Sequence, residues 1–377
     1  MLIAKTVQFF TQRFRSIILM CIVSFVAIQI LFFSPNALDS DKKKIAAFEL
    51  DPEILSHNFE EDRIDFQLSG KKIPEYNIND FEYNSAQKGV RQWKMTADKA
   101  ILYHQENLIL GRKINAFLYN PDGTFTHILG NLAKYNTEIK ELEVFGDTET
   151  EFPDGFKVYS QYVKYFPQIR NIDIPTKYPT SGTGRDETNK IIEFTSMGFK
   201  FDMENNNILL PHQVNVKIQS EKSSETTNIS SDVCEIFRNE KNAYFSMNST
   251  KPLDEQYVVI TQPSLFVKSR KAHFSYGRST LSTEKQSGNE KNSIDSLIAE
   301  DDVYLEEENQ GLDQRYGTSG IARFVSSKNQ IILEKFPQLY QNQDTITGEV
   351  IILHRDTDLV EVKNSNAYNQ GNSPKAK

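Results

Sequence analysis

Two cysteines and a single tryptophan in 377 residues leave little to staple the chain or to drive chemistry. Cys21 lies in an apolar N-terminal run and Cys234 lies far along the body, so the two sit in different phases and no disulfide is expected. A basic excess is also missing. The formal net charge is −8, which excludes a nucleic-acid partner, because binding a phosphate backbone requires a concentrated basic face. His57, His104, His127, His212, His273 and His354 are dispersed, with no pair at metal-ligand spacing, so neither a metal nor any other cofactor is expected. No G-x-x-x-x-G-K-S/T stretch occurs, so the chain has no ATP phosphate loop, and any directed transport draws its energy from a partner. The acidic triplets Glu300-Asp301-Asp302 and Glu306-Glu307-Glu308 flank Val303-Tyr304-Leu305. A glycosidase needs two carboxyls facing across a cleft, whereas this pattern reads as a short strand with solvated acidic flanks. The chain is therefore not expected to be an enzyme. Gly182-Thr183-Gly184 reads as a flexible turn.

What is present begins with the uncharged run Ile17 to Phe33, roughly 17 residues and near the lower limit for a spanning helix. Lys5, Arg13 and Arg15 precede it and no acid occurs before Asp39, which places residues 1–16 in the cytoplasm and everything after Phe33 outside. A cleaved signal peptide is the competing reading, but the run is long for one and the cleavage motif around Pro35 and Ala37 is poor. Residues 34–58 read as a tether.

Beyond the tether, apolar and polar residues alternate in short runs rich in aromatics, with 25 Phe and 16 Tyr in the chain. Trp93, Met95 and Ala97 alternate with Lys94, Thr96 and Asp98. Phe156, Val158 and Ser160 alternate with Lys157, Tyr159 and Gln161. Turn signals separate the runs, among them Asn120-Pro121-Asp122-Gly123, Pro153-Asp154-Gly155 and Asp356-Thr357-Asp358. The runs also repeat. Ala100, Ala133 and Val163, and later Ala322 and Ile351, occupy equivalent positions about 30 residues apart, room for two ordinary strands and their turns. Such a unit cannot bury its own face, so neighbours must stack into a continuous all-β ribbon. Two polar stretches interrupt it. Ser220 to Asn228 divides two halves, 59–219 and 220–365, and 279–296 reads as a mobile excursion; 366–377 reads as a frayed, disordered tail.

A one-faced ribbon can close on a filled core or fold into a trough that shelters hydrocarbon. Two functions stay open: an amphiphile conduit, and an anchored structural or adhesive β-solenoid of the cell envelope without cargo.

Certain residues carry a family likeness. Gly89-x-x-x-Trp93-x-Met95-x-Ala97-x-x-Ala100, Leu108-x-Leu110-Gly111, Gly130 to Asn136, Gly146-Asp147 and Thr195-Ser196-Met197-Gly198-Phe199 resemble the lipopolysaccharide-export protein family LptC, over roughly residues 1–218. Gly320 to Phe324, Asn329 to Leu333, Phe336-Pro337-x-Leu339, Asp344-x-Ile346-x-Gly348 and Asp358-Leu359-x-Glu361-Val362 resemble the OstA/LptA β-repeat family. At about twice the usual LptC length, the chain looks like an LptC unit continued by an LptA-like unit. The resemblance implies a folded-over antiparallel sheet (a β-jellyroll or β-taco) of stacked repeats, extended, behind one N-terminal transmembrane helix. It implies an inner-membrane, single-pass protein with its bulk in the periplasm, which takes lipopolysaccharide from an inner-membrane ABC transporter and relays it toward the outer membrane. The next module is then a soluble LptA-like bridge protein or the outer-membrane translocon. On this pattern Trp93, Met95, Ile128, Leu142, Val144, Val158, Val267, Leu333 and Ile346 line the trough and touch the acyl chains of lipid A; tight core packing is the competing reading for each. The strand around Phe81 and Tyr83 would pair with the transporter, and Leu359 to Val362 would offer an edge to the next module.

Overall fold

The computed structural model describes residues 76–186, 190–219, 226–248, 252, 256–276, 294–307, 315–341 and 344–369. The expected cytoplasmic segment, anchor and tether (1–58) lie outside the described residues, as do Cys21 and residues 59–75. No helix among the described residues is long and apolar enough to cross a membrane.

Period-2 alternation becomes strands throughout. Eight long strands follow one another: β1 (Tyr76–Gln87), β2 (Val90–Tyr103), β3 (Leu108–Tyr119), β4 (Phe125–Asn136), β5 (Glu141–Glu151), β6 (Lys157–Phe166), β7 (Asn171–Arg185) and β8 (Ile191–Asp202). Each pairs antiparallel with the next. Most later passes are cut in two at mid-length: β9 (Asn207–Leu210) with β10 (Val214–Gln219), β11 (Thr226–Ser231) with β12 (Val233–Phe237), β13 (Asn242–Ser246) with β14 (Val258–Gln262), and β15 (Leu265–Ser269) with β16 (Lys271–Tyr276). Then come the long β17 (Ile294–Glu307) and β18 (Arg315–Val325), a 3-10 turn at Ser326–Lys328, β19 (Gln330–Glu334), β20 (Gln338–Gln341), β21 (Asp344–Thr347), β22 (Val350–His354), β23 (Val360–Lys363) and β24 (Asn366–Asn369). All 24 belong to one hydrogen-bonded sheet, which lies within the single unit Ile73–Lys377.

The mid-strand breaks are a crease. Register shifts fall at Leu129/Leu132, Phe145/Thr148, Tyr159/Lys164, Ile174/Pro179 and Glu300/Val303. Residues with positive φ sit at the same level: Lys113, Asp147, Gln213, Asp301, Asp302, Lys335 and Asn364. An unpaired bulge residue bends its strand, so a bulge in successive strands folds the whole sheet over. The need for it is geometric. A flat strand of 12 residues spans about 40 Å, yet Arg170, in the turn after β6, reaches Tyr119, at the far end of β3, within 3.2 Å. Only a doubled sheet brings opposite strand ends together.

Three expectations need correction. Gly182-Thr183-Gly184 is not a turn but part of β7, paired with β8. A Cβ on Gly182 would lie 2.2 Å from the Phe194 ring, and one on Gly184 would lie 2.0 Å from Phe156. The glycines make room for these two stacked rings, 5.9 Å apart. Asn366–Asn369, expected to fray, form β24, because β21 offers an open row of backbone groups for them to pair with. Ile294–Ser296, expected in the mobile excursion, begin β17 on β16; residues 277–293 lie outside the described residues.

The glycine in β7 carries a direct consequence. Gly182→Val forces the Phe194 ring to move and should lower stability by about 1–3 kcal/mol, read as the urea midpoint of the full chain; an unchanged midpoint would mean the rings do not need that space.

Candidate functional site: an apolar seam between two lips

Side chains on the inner face stack directly above one another from strand to strand. One row begins Tyr83↔Met95↔Ala116↔Ile128↔Thr150↔Val158↔Gly182↔Phe194. It continues Phe194↔Val216↔Ile229↔Ile260↔Val267↔Leu305↔Gly317↔Leu339↔Ile346↔Ala367. The row thus runs from the first described strand to the last without a missing rung, and it crosses from β10 to β11 as it crosses everywhere else. A second row on the other half of the fold runs Leu102↔Ile109↔Tyr135↔Leu142↔Tyr165↔Ile172↔Phe201↔Ile208 and on through Ile236, Ala243, Phe274, Leu297, Phe324 and Ile331 to Leu353. Folding at the crease lays the rows face to face.

The residues singled out from sequence fall on these rows or beside them. Met95, Ile128, Val158, Val267 and Ile346 are on the first row, and Leu142 is on the second. Val144 joins the ladder Gly111↔Ala133↔Val144↔Val163. Leu333 joins Ala322↔Leu333↔Ile351↔Val362, so the repeat positions spaced about 30 residues apart do stack. Trp93 sits one step from Met95 on the same face, opposite Leu118. All but Ile346 are fully buried, and Ile346 packs against the same cluster half-buried. Of the proposed edge residues, Phe81 is buried and Tyr83 packs on the core, both on β1. Val362 is on β23, but Leu359 is exposed and precedes that strand, where its carbonyl accepts from the His354 amide. Among the described residues β1 pairs only with β2, β23 only with β22, and β24 only with β21, so the ribbon ends in two open edges.

The seam in this conformation is packed by its own side chains, and aromatics do most of the filling. Trp93 meets Tyr135 edge-on at 4.9 Å and Tyr165 at 6.4 Å, from opposite halves, with Tyr83 5.2 Å away. Further along, Phe152 meets Phe201 at 4.9 Å and Phe199 at 6.1 Å. Sequence reasoning missed Tyr135, Tyr165, Phe152, Phe199 and Phe201; a row-by-row count of inward aromatics would have found them. Burial pushes the Tyr165 phenol up to about 12, against an opposing pull from Arg170. Burial raises Tyr135 too, helped by its hydroxyl contact with Tyr83 at 3.3 Å. Burial likewise raises the Cys234 thiol. The seam also holds polar atoms with no protein partner: Trp93 Nε1, Thr126 Oγ1 and Thr150 Oγ1. Each costs about 1–3 kcal/mol when left unsatisfied.

The seam's mouth is polar. Turns at one set of strand ends carry Arg170, Arg238 and Arg355, and each reaches to the other set. Arg170 donates to the Tyr119 carbonyl at 3.2 Å and to Asn120 Oδ1 at 2.9 Å. Arg238 pairs with Asp154. Arg355 donates to Glu307 Oε1 at 2.9 Å and to Ser264 Oγ at 3.0 Å. Glu307 corrects the expectation of solvated acidic flanks. Asp301 and Asp302 are exposed and pair with Lys271 and Arg270, but Glu307 is only 1% exposed and faces inward beside the equally buried Arg315 at 2.7 Å. Strand alternation from Val303 through Leu305 puts it there. Among the described residues no group of three or more His, Cys, Asp and Glu side chains is arranged to hold a metal ion.

The described strands thus form one doubled antiparallel sheet with an apolar seam and a polar mouth. Residues 67–219 match the family described as "Lipopolysaccharide-assembly, LptC-related", and residues 193–359 match "LptA/(LptD N-terminal domain) LPS transport protein". The matches overlap at β8 to β10, inside the continuous row. Among solved structures, the chain is similar to LptH, described as the LptA homologous periplasmic component of the conserved lipopolysaccharide transport device from Pseudomonas aeruginosa. Identity is 12% and the TM-score 0.31, over 38% of this chain and 95% of that one. No curated protein matches.

The raised phenols set a pH dependence. A tyrosine whose folded pKa lies above its unfolded value stabilises fully below about pH 10 and loses that contribution as pH rises through the folded value. Stability should therefore fall between about pH 10 and 12, by roughly 2–3 kcal/mol from Tyr165 alone. In Tyr165→Phe the fall should be shallower by that share in chemical unfolding at each pH; equal slopes would show that Tyr165 is not shielded.

Proposed function

We propose that the protein is a membrane-anchored periplasmic component of lipopolysaccharide export. It takes lipopolysaccharide from an inner-membrane ABC transporter and holds the lipid A acyl chains along the seam. It relays them toward the outer membrane, directly or through an LptA-like bridge. The observation that carries the reading is the single inward row from Tyr83 to Ile346, which joins the stretch similar to LptC-related proteins to the stretch similar to LptA in one continuous register. The printed family descriptions, lipopolysaccharide assembly and transport, supply the cargo.

Water exposure costs an acyl chain about 0.8 kcal/mol per CH₂, on the order of 9 kcal/mol for a twelve-carbon chain. A chain lying between the rows replaces side-chain contacts with equally apolar ones, so opening the interior gives up little hydrophobic energy. The unpartnered Trp93, Thr126 and Thr150 atoms favour a guest with polar linkages along its tails. The open edge of β1 suits strand addition by the transporter, and that of β23 and β24 suits the next module.

The complete burial of Trp93, Met95, Val158 and Leu333 favours a second reading: an anchored structural or adhesive β-solenoid with a permanently filled core. Photo-crosslinking residues at Val158 and Leu333 separate the two. Export-active cells should yield lipopolysaccharide adducts at both positions; no adduct at either, with the protein correctly inserted, leaves the filled scaffold.

A further inference from the structure

We infer that Arg170, Arg238 and Arg355 are latches that hold the mouth shut, and that each, once released, binds an anionic headgroup of the incoming amphiphile. The inference rests on the conduit reading. Three separate turns of one lip each present an arginine to the opposite lip, with partners 51, 84 and 91 residues earlier in sequence. The offset has one sense in all three, as it must when two twisted half-sheets cross at a constant angle.

Opening the seam exchanges one apolar contact for another, so the specific resistance to opening lies at these polar crossings. What the arginines grip is an oxygen in every case: the Tyr119 carbonyl, the Asn120 amide oxygen, the Asp154 and Glu307 carboxylates, and the Ser264 hydroxyl. A guanidinium that loses such a partner is satisfied best by another planar or tetrahedral oxyanion, which it can take with two parallel N–H donors. A phosphate or carboxylate headgroup entering with its tails toward the seam arrives at that level, because the arginines lie at the mouth that its tails cross on the way in. The headgroup therefore trades places with the opposite lip: the latch opens because the cargo supplies the replacement, and a neutral amphiphile lacks that exchange. Arg238 and Asp154 are partly exposed, with 22% and 43% of their side-chain surfaces accessible, so a headgroup can reach them before the lips part.

The test uses the full chain in nanodiscs with a photo-crosslinker at Val158. The probes are radiolabelled dodecyl phosphate and dodecyl maltoside, which share a tail and differ in headgroup charge. The unmodified latches should favour the phosphate. Arg170→Gln with Arg238→Gln should lower that preference about tenfold, the worth of a charge-assisted contact, while capture of the maltoside holds or rises. Asp154→Asn leaves Arg238 without its carboxylate and should raise phosphate capture. Arg355 is left intact because its partner Glu307 is buried, and protection of Cys234 from a thiol reagent verifies folding. A headgroup preference unchanged in the double variant, or phosphate capture not raised in Asp154→Asn, would overturn the latches while leaving the conduit standing. Failure of the unaltered protein to capture either probe would overturn the conduit itself and the inference with it.

Discussion

The structure depends on one constraint: an antiparallel sheet with a single apolar face has nothing to bury that face against except itself. Every pass of the chain must therefore bend at the same level, and the inward side chain of each strand must stand over that of its neighbour. A one-residue slip anywhere would turn a strand's apolar set to solvent. The row from Tyr83 to Ala367 shows the register kept through every pairing, including those made by the half-length strands β10, β11 and β14.

From that constraint follows a division of labour. The crease carries positive-φ residues such as Asp147, Gln213 and Asn364, at the level where strands shift register or break. The interior is mainly apolar, filled by Trp93, Tyr135, Tyr165 and the phenylalanines around Phe152. The mouth carries charged, directional chemistry, in the arginines that cross it and in the buried Glu307–Arg315 pair. Removing one member of such a buried pair typically costs about 3–5 kcal/mol, whereas sliding one hydrocarbon past another costs little. On the proposed function, guest entry is decided at the lips.

Much of this was legible in the sequence. Alternation around Trp93 and Val158 placed the inward set, and the recurrence of Ala100, Ala133 and Val163 announced ladders that do stack. What escaped has physical causes. Gly182 and Gly184 look like a turn because a string of residues does not show that Phe194 and Phe156 lie over them. Glu307 looked solvated because local charge density says nothing of Arg315 and Arg355, the latter 48 residues away. Asn366–Asn369 carry little apolar signal of their own, and it is backbone pairing with β21 that recruits them. The latches escaped for the same reason: a contact between turns on opposite lips is set by the crossing of the half-sheets, which no local pattern encodes.

The most direct measurement is the distance across the mouth with and without cargo. Spin labels at Asp122→Cys and Gln168→Cys, on exposed turns of opposite lips, in a Cys21→Ser background with Cys234 left buried, report it by pulsed electron resonance. Bound lipopolysaccharide should shift the distribution to longer distances while the strand pairing persists. A distribution unmoved when lipopolysaccharide is shown to be bound would mean that the two lips never part for it.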